Sequence, residues 1–200
     1  MKTLYTIGHS NHAIETFLDL LKTHGIEALC DVRSKPYSRF HPQFRNKQLK
    51  EVLQKHNIAY VFLGKALGAK PDDLSCYRDG KLQYACLAET EAFKAGINQI
   101  KTDLAASRVA LMCAEKEPLD CHRTILICRH LRDEDLTIKP ILADGYLEDQ
   151  HHAEQRLIDK FKISEDLPFK EKVQVAYDLQ SQKMAYQNPR KTTAVGKKSG

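Results

Sequence analysis

Three short polar clusters in this 200-residue chain hold the residue types that acid–base, thiol and anion chemistry require. The longest runs from Cys113-Ala114-Glu115, through Pro118, to Asp120-Cys121-His122-Arg123; the others are Gly8-His9-Ser10 and Asp31-Val32-Arg33. With Asp120 as an N-cap, Cys121, His122 and Arg123 fall in the first turn of a helix, where unpaired backbone N–H groups attract anions. Arg123 adds a forked cationic donor, and the same field lowers the pKa of Cys121. Cys121 is therefore the candidate reactive thiol, with His9 or His122 as its base and Glu115 as a proton acceptor. Arg33, Asp31, His122, Arg123 and Ser10 are the candidates for holding an anion. A metal is the other chemistry open to these side chains: Cys113, Cys121 and His122, with His9 and with Asp31 or Glu115 as oxygen donors, suit zinc or iron. No cofactor is demanded by the sequence. A cysteine-phosphatase loop is disfavoured, because ten positions separate Cys113 from Arg123, no glycine lies between them, and Glu115 and Glu117 repel phosphate.

The elements that must position these clusters alternate between strand and helix. An apolar strand over residues 4–7 ends at Gly8-His9-Ser10, and Ser10 or Asn11 caps a helix whose Ile14, Phe17, Leu18 and Leu21 recur at helical spacing. Gly25 closes that helix, and a strand over residues 26–32 ends on the Asp31-Val32-Arg33 cluster. This unit predicts a parallel pair of strands joined by a crossover helix. A helix over 46–56, a strand over 57–63, a helix over 89–107 and a strand over 108–113 follow. Beyond them come a helix over 123–131, a strand over 137–142 that Pro140 marks as an edge, and helices over 151–161 and 169–185. Residues 69–86 are turn-rich and give no assignment. The order implies an α/β fold: an open, mostly parallel, Rossmann-like sheet with helices on both faces and further C-terminal helices. In such sheets ligands bind outside the carboxyl ends of the strands, where all three polar clusters fall, so they are expected to converge.

Four blocks carry a family resemblance. Thr6-Ile7-Gly8-His9-Ser10, Asp31-Val32-Arg33 with Pro36 and Ser38, Leu63-Gly64-Lys65-Ala66-Leu67-Gly68, and Leu111-Met112-Cys113-Ala114-Glu115 through Pro118 to Cys121-His122-Arg123 together resemble the bacterial and archaeal domain-of-unknown-function 488 family. The resemblance covers about residues 3–145. It implies a fold and a site at these blocks without supplying a reaction. Ala69 departs from it, standing where the family often has a second glycine.

Composition sets the remaining bounds. Apolar and charged fractions of 42% and 28% are those of a globular protein, and 200 residues suit a single α/β domain over 3–182, with a family-like core over 3–145 and a helical extension over 146–187. The net charge of +5 resides entirely in residues 183–200, so the body is neutral and no global basic field advertises nucleic acid. Residues 188–200 read as a basic disordered tail. With no apolar run long enough for a membrane span or a secretory signal, the chain is expected to be cytoplasmic and its six cysteines to be thiols. Cys76 and Cys86 flank a turn and match no familiar zinc spacing, and Cys128 reads as core.

One local exception to neutrality is the stretch between Asp31 and Glu51. Arg33, Lys35, Arg39, Arg45, Lys47 and Lys50 lie in it with His41 and no acid, interleaved with Tyr37, Phe40 and Phe44. Cations with aromatics suit nucleotides or single-stranded nucleic acid, whose phosphates and bases they match. The functional expectation is an enzyme acting on a phosphate-bearing or other anionic substrate, a nucleotide or nucleic-acid component, in a pocket of His9, Asp31, Arg33, Glu115, Cys121, His122 and Arg123. The alternatives are a non-catalytic nucleotide or nucleic-acid binding module using the same pocket, and a metal-dependent, hydrolase-like site.

Overall fold

The computed structural model describes residues 2–132 and 135–188. In chain order the elements are β1 (Lys2–Gly8), α1 (Ile14–Thr23), β2 (Ala28–Asp31), α2 (Asn46–Lys55), β3 (Ala59–Phe62), α3 (Gly64–Leu67), β4 (Tyr77–Arg78), β5 (Lys81–Leu82), α4 (Tyr84–Ala88), α5 (Glu91–Ala106) and β6 (Val109–Cys113). After β6 a 3-10 turn over Pro118–Asp120 leads to a π-helical segment, Arg123–Cys128, that runs into α6 (Arg129–Leu131). Then follow β7 (Leu136–Ile141), α7 (Gln150–Phe161) and α8 (Phe169–Met184). Thr90 and Asp149 cap α5 and α7 with their side-chain oxygens.

Five strands form one parallel sheet in the order β3-β2-β6-β1-β7, while β4 and β5 make a small antiparallel hairpin. Burial follows from helices covering both faces. Ala110 and Met112 of β6 join Phe17, Leu21, Leu49 and Leu53 of α1 and α2 on one side. Leu111 and Cys113 pack on the other with Ile97 and Ile100 of α5, Leu126 of the π-helical segment, Leu157 of α7 and Tyr177 of α8. Every residue of β6 is buried, so it reads as a continuous apolar run, as a central parallel strand should. Pro140 sits in β7, whose one neighbouring strand in the sheet among the described residues is β1, at the sheet edge.

Several sequence expectations are corrected. The strands on either side of α1 do not pair, because β6 inserts between β1 and β2: Tyr5 aligns with Ala110, and Leu29 with the same residue from the other side. The α1 crossover thus skips one position, which the most apolar strand of the chain fills. Neither Ser10 nor Asn11 caps α1; the cap position is Ala13, and Ser10 takes a positive φ of 48° in the turn after β1. Cys76 and Cys86 are not thiols but a disulfide, since the β4–β5 hairpin folds the chain back and Gln83 N–H donates to the Cys76 carbonyl. Cys30, Cys113, Cys121 and Cys128 are unbonded and buried. The tail expected to be disordered lies outside the described residues from 189 onward; Asn188 N–H still donates to the Gly80 carbonyl. No helix among the described residues is long and apolar enough to cross a membrane.

Candidate functional site

The order of the sheet sets the carboxyl ends of β2, β6 and β1 side by side, and the three polar clusters issue from those ends. The loops lie against one another through the backbone. His9 and Ser10 N–H donate to the Cys113 and Ala114 carbonyls at 2.9 Å, and Val32 N–H donates to the Met112 carbonyl at 3.0 Å. Between them opens a cavity of ≈ 560 Å³, within the range of small-molecule sites. His9, Ser10, Arg33, Cys113, Glu115 and His122 line its inner wall, and Lys35, Tyr37, Ser38, His41 and Lys70 its outer one.

Arg33 is the best-anchored cation there. Its Nε and Nη2 form a fork onto the two carboxylate oxygens of Asp31 at 2.9 and 2.6 Å, and Nη2 also donates to the Phe44 carbonyl. Nη1 donates to His9 Nε2 at 3.1 Å, which leaves the second Nη1 hydrogen as the one donor of this guanidinium available to a ligand. Asp31 is fully buried and also accepts from the Tyr60 hydroxyl at 2.8 Å, so it orients Arg33 and does not itself face the cavity. Tyr60, the second residue of β3 and aligned with Leu29, carries no sequence signal for this role.

His9 is held as a neutral imidazole. Its Nδ1–H donates to the Ser10 carbonyl at 2.9 Å while Nε2 accepts from Arg33, and its ring stacks on Phe44 at 4.4 Å between centroids. Burial, followed by the Arg33 charge, lowers its pKa to about 4. With both nitrogens engaged, His9 reaches a substrate as a base only after Arg33 releases it.

The loop after β6 differs most from expectation. Asp120 does not cap the helix that follows; its Oδ1 accepts from Lys160 and Gln180, while Glu117 caps the 3-10 turn. The Cys121 N–H is bonded to the Pro118 carbonyl and the Cys121 carbonyl accepts from the Thr124 and Ile125 N–H groups, so the helix starts one residue later than expected, with Cys121 at the cap position and outside the first turn. Arg123, expected to grip an anion, points inward and is 1% exposed. Its Nη1 donates to the Glu115 carbonyl at 2.7 Å and Nη2 to that of Lys116, bracing the loop from below.

That brace brings a compact donor cluster together. Cys113 Sγ lies 3.6 Å from His122 Nδ1 and 3.4 Å from Glu115 Oε2, and Cys121 Sγ lies 3.9 Å from the same carboxylate oxygen. His122 Nε2–H donates to the Val32 carbonyl at 3.0 Å, so Nδ1 turns its lone pair toward the thiols. Burial opposes ionisation of Cys121, but hydrogen bonding from Cys113, the Arg123 charge and the adjoining His122 ring outweigh it and hold its pKa well below the usual thiol value. The Cys113 thiol is pushed up by that same bond to Cys121 and by burial. Cys113, Glu115 and His122 face the cavity.

Gly8 permits this arrangement, because a Cβ there would overlap the Glu115 carbonyl and stand 3.2 Å from Arg123 Nη1. Gly8→Ala is expected to displace the loop and lower the unfolding free energy by about 1–3 kcal/mol, measured by urea denaturation.

A larger cavity, ≈ 740 Å³, lies between the hairpin, the π-helical segment and α8. Among its lining groups, Arg129 pairs with Asp178 and donates to Gln174, and His130 bonds the Leu126 carbonyl. The basic stretch divides in two. Phe44 is buried against His9 and Phe17, whereas Tyr37 and Phe40 are 64% and 82% exposed, with Arg45 and Arg39 over their rings. Lys70, in the unassigned turn-rich segment, is a site cation the sequence did not reveal; Ser34 Oγ, accepting from the Lys70 N–H at 2.9 Å, ties it to the Arg33 loop.

A parallel α/β sheet with one composite pocket over its central strand ends defines the class of this molecule. Its sequence matches the family described as domain of unknown function DUF488 over residues 13–129, more than half the chain, and the chain belongs to that family. No curated protein and no solved structure matches it.

Proposed function

We propose that this chain is an enzyme acting on a phosphate-bearing or otherwise anionic substrate of the nucleotide class, bound in the strand-end cavity. The observation that carries the reading is that Arg33, Lys35 and Lys70, the last with its Nζ over the Tyr186 ring at 4.7 Å, line one cavity with the thiol–imidazole–carboxylate wall of Cys113, His122 and Glu115. The seryl hydroxyls of Ser34 and Ser38 add neutral donors, and exposed Tyr37 offers a face on which a base can stack. In this reading the cations hold the anion, and Glu115 takes a proton from the attacking group. The reaction class is hydrolysis or group transfer. Single-stranded nucleic acid reaches the same site along Tyr37 and Phe40. A cytoplasmic setting belongs to the proposal and is supported by four unbonded interior cysteines, Cys76–Cys86 being the exception.

Calorimetric titration with nucleoside monophosphates tests the binding half. Lys35→Ala and Lys70→Ala are each expected to weaken affinity roughly tenfold, the effect of losing one charged contact, and more so at low salt. Both side chains are exposed, so the variants should fold as the parent does. Phosphorus NMR across a nucleotide panel tests the catalytic half. Glu115→Gln should abolish turnover while leaving affinity within about threefold, since it removes a base and no cation. Binding without turnover in the parent would mark a recognition module instead.

A further inference from the structure

We infer that Cys113, Cys121 and His122, with Glu115 at the open side, form a binding site for one thiophilic divalent metal ion of the zinc class. The three buried donors present Sγ, Sγ and Nδ1 atoms that all lie within 4.8 Å of one another, and Glu115 Oε2 lies 3.4 and 3.9 Å from the two sulfurs. A tetrahedral zinc ion, with bonds near 2.3 Å to sulfur and 2.0–2.1 Å to nitrogen or oxygen, sets such donors about 3.5 Å apart. The observed 3.6 Å from Cys113 Sγ to His122 Nδ1 and 3.4 Å from Cys113 Sγ to Glu115 Oε2 fit that spacing, and the Cys121 edge is a few tenths longer.

The surroundings of the donors point the same way. The bond from His122 Nε2–H to the Val32 carbonyl fixes the tautomer with Nδ1 free to ligate, the outer partner that metal-bound imidazoles characteristically have. Arg123 and Gly8 hold the loop that carries Glu115, so the donor set is already gathered. Cys113, Glu115 and His122 line the cavity and Cys121 closes the set from behind. Three buried protein ligands, with Glu115 as the fourth donor at the cavity face, make up a tetrahedral zinc set. The donor set carries no direct ion pair among the described residues, and a divalent cation would neutralise it.

The inference is independent of the substrate reading, because metal uptake is measured here with no phosphate present. The full chain is purified without chelators or metal-affinity steps and assayed by elemental analysis, and the metal-free protein is titrated with cobalt(II) under reducing conditions. One metal per chain and a thiolate-to-cobalt charge-transfer band are expected. Cys113→Ser and Cys121→Ser should each weaken cobalt binding more than about 100-fold, beyond what loss of an outer partner causes. Glu115→Gln, at an exposed position, should weaken it roughly tenfold without affecting the fold, and Cys128→Ser should leave it unchanged. A parent chain that takes up no stoichiometric metal and shows no charge-transfer band overturns the inference. So does binding that survives in the Cys113→Ser/Cys121→Ser double variant, or isolation of Cys113 and Cys121 as a disulfide.

Discussion

Arg33→Ala is expected to lower the unfolding free energy by about 3–5 kcal/mol, the usual cost of leaving a buried charge without its partner. Asp31 is fully buried, and without the guanidinium fork its carboxylate keeps only the Tyr60 hydroxyl and the Arg33 backbone N–H. In a domain of this size the melting temperature should fall by roughly 10 °C or more. Replacing both partners with apolar residues, as in Asp31→Val/Arg33→Met, removes the stranded charge along with the bridge and should recover most of the loss. The double variant would then be stable yet poor at binding anions, which separates the structural role of the pair from its functional one. A loss of less than about 1 kcal/mol in the single variant would mean that Asp31 finds another partner or accepts a proton.

His9 produces the second large effect, one that depends on pH. Its folded pKa, about 4, lies below the unfolded value of 6.5, so the unfolded chain binds the proton more readily. The contribution is fully present above pH 6.5 and is lost as pH falls toward 4. It amounts to up to about 3 kcal/mol for a shift of this size. Protonation also turns the acceptor nitrogen of His9 into a donor facing Arg33, so the pocket loosens as stability falls. Urea denaturation at pH 7, 5.5 and 4.5 should show this slope in the parent and a much flatter one in His9→Gln, which accepts from Arg33 at every pH. Asp120 and Asp149, both lowered from 3.8 chiefly by bonds from Lys160 and Lys139, act below this window. His122, raised by Cys121 against the effect of burial, acts above it. An unchanged slope in His9→Gln would assign the acid sensitivity to other groups.

Much of the fold was legible because apolar periodicity and strand-end polar residues are local signals. The strand ending at Gly8, the buried run of β6 and the edge strand marked by Pro140 all appear as the pattern indicates. Strand order was not legible, since a helix such as α1 crosses to the adjacent position or skips one with the same sequence pattern. The convergence of His9, Arg33, Cys113, Glu115 and His122 in one pocket was legible from strand ends alone. The direction of a side chain was not. Arg123 has the composition of an anion ligand, yet its guanidinium turns inward to the Glu115 and Lys116 carbonyls, a direction set by the folded loop and not by local sequence. Phe44 and Tyr37 have similar sequence surroundings, and the 3-10 turn over Pro42–Phe44 buries one and leaves the other exposed. Lys70 lay in a segment without periodicity, and a cation there becomes informative only once Ser34 anchors its backbone beside Arg33.

The measurement that bears most directly on the account is a crystal structure of the full chain grown with a nucleoside monophosphate. The phosphate should lie against Arg33 Nη1, Lys35 and Lys70 at the strand ends, with the base toward Tyr37. A phosphate held instead by Arg123, or seated in the larger cavity beside α8, would contradict it.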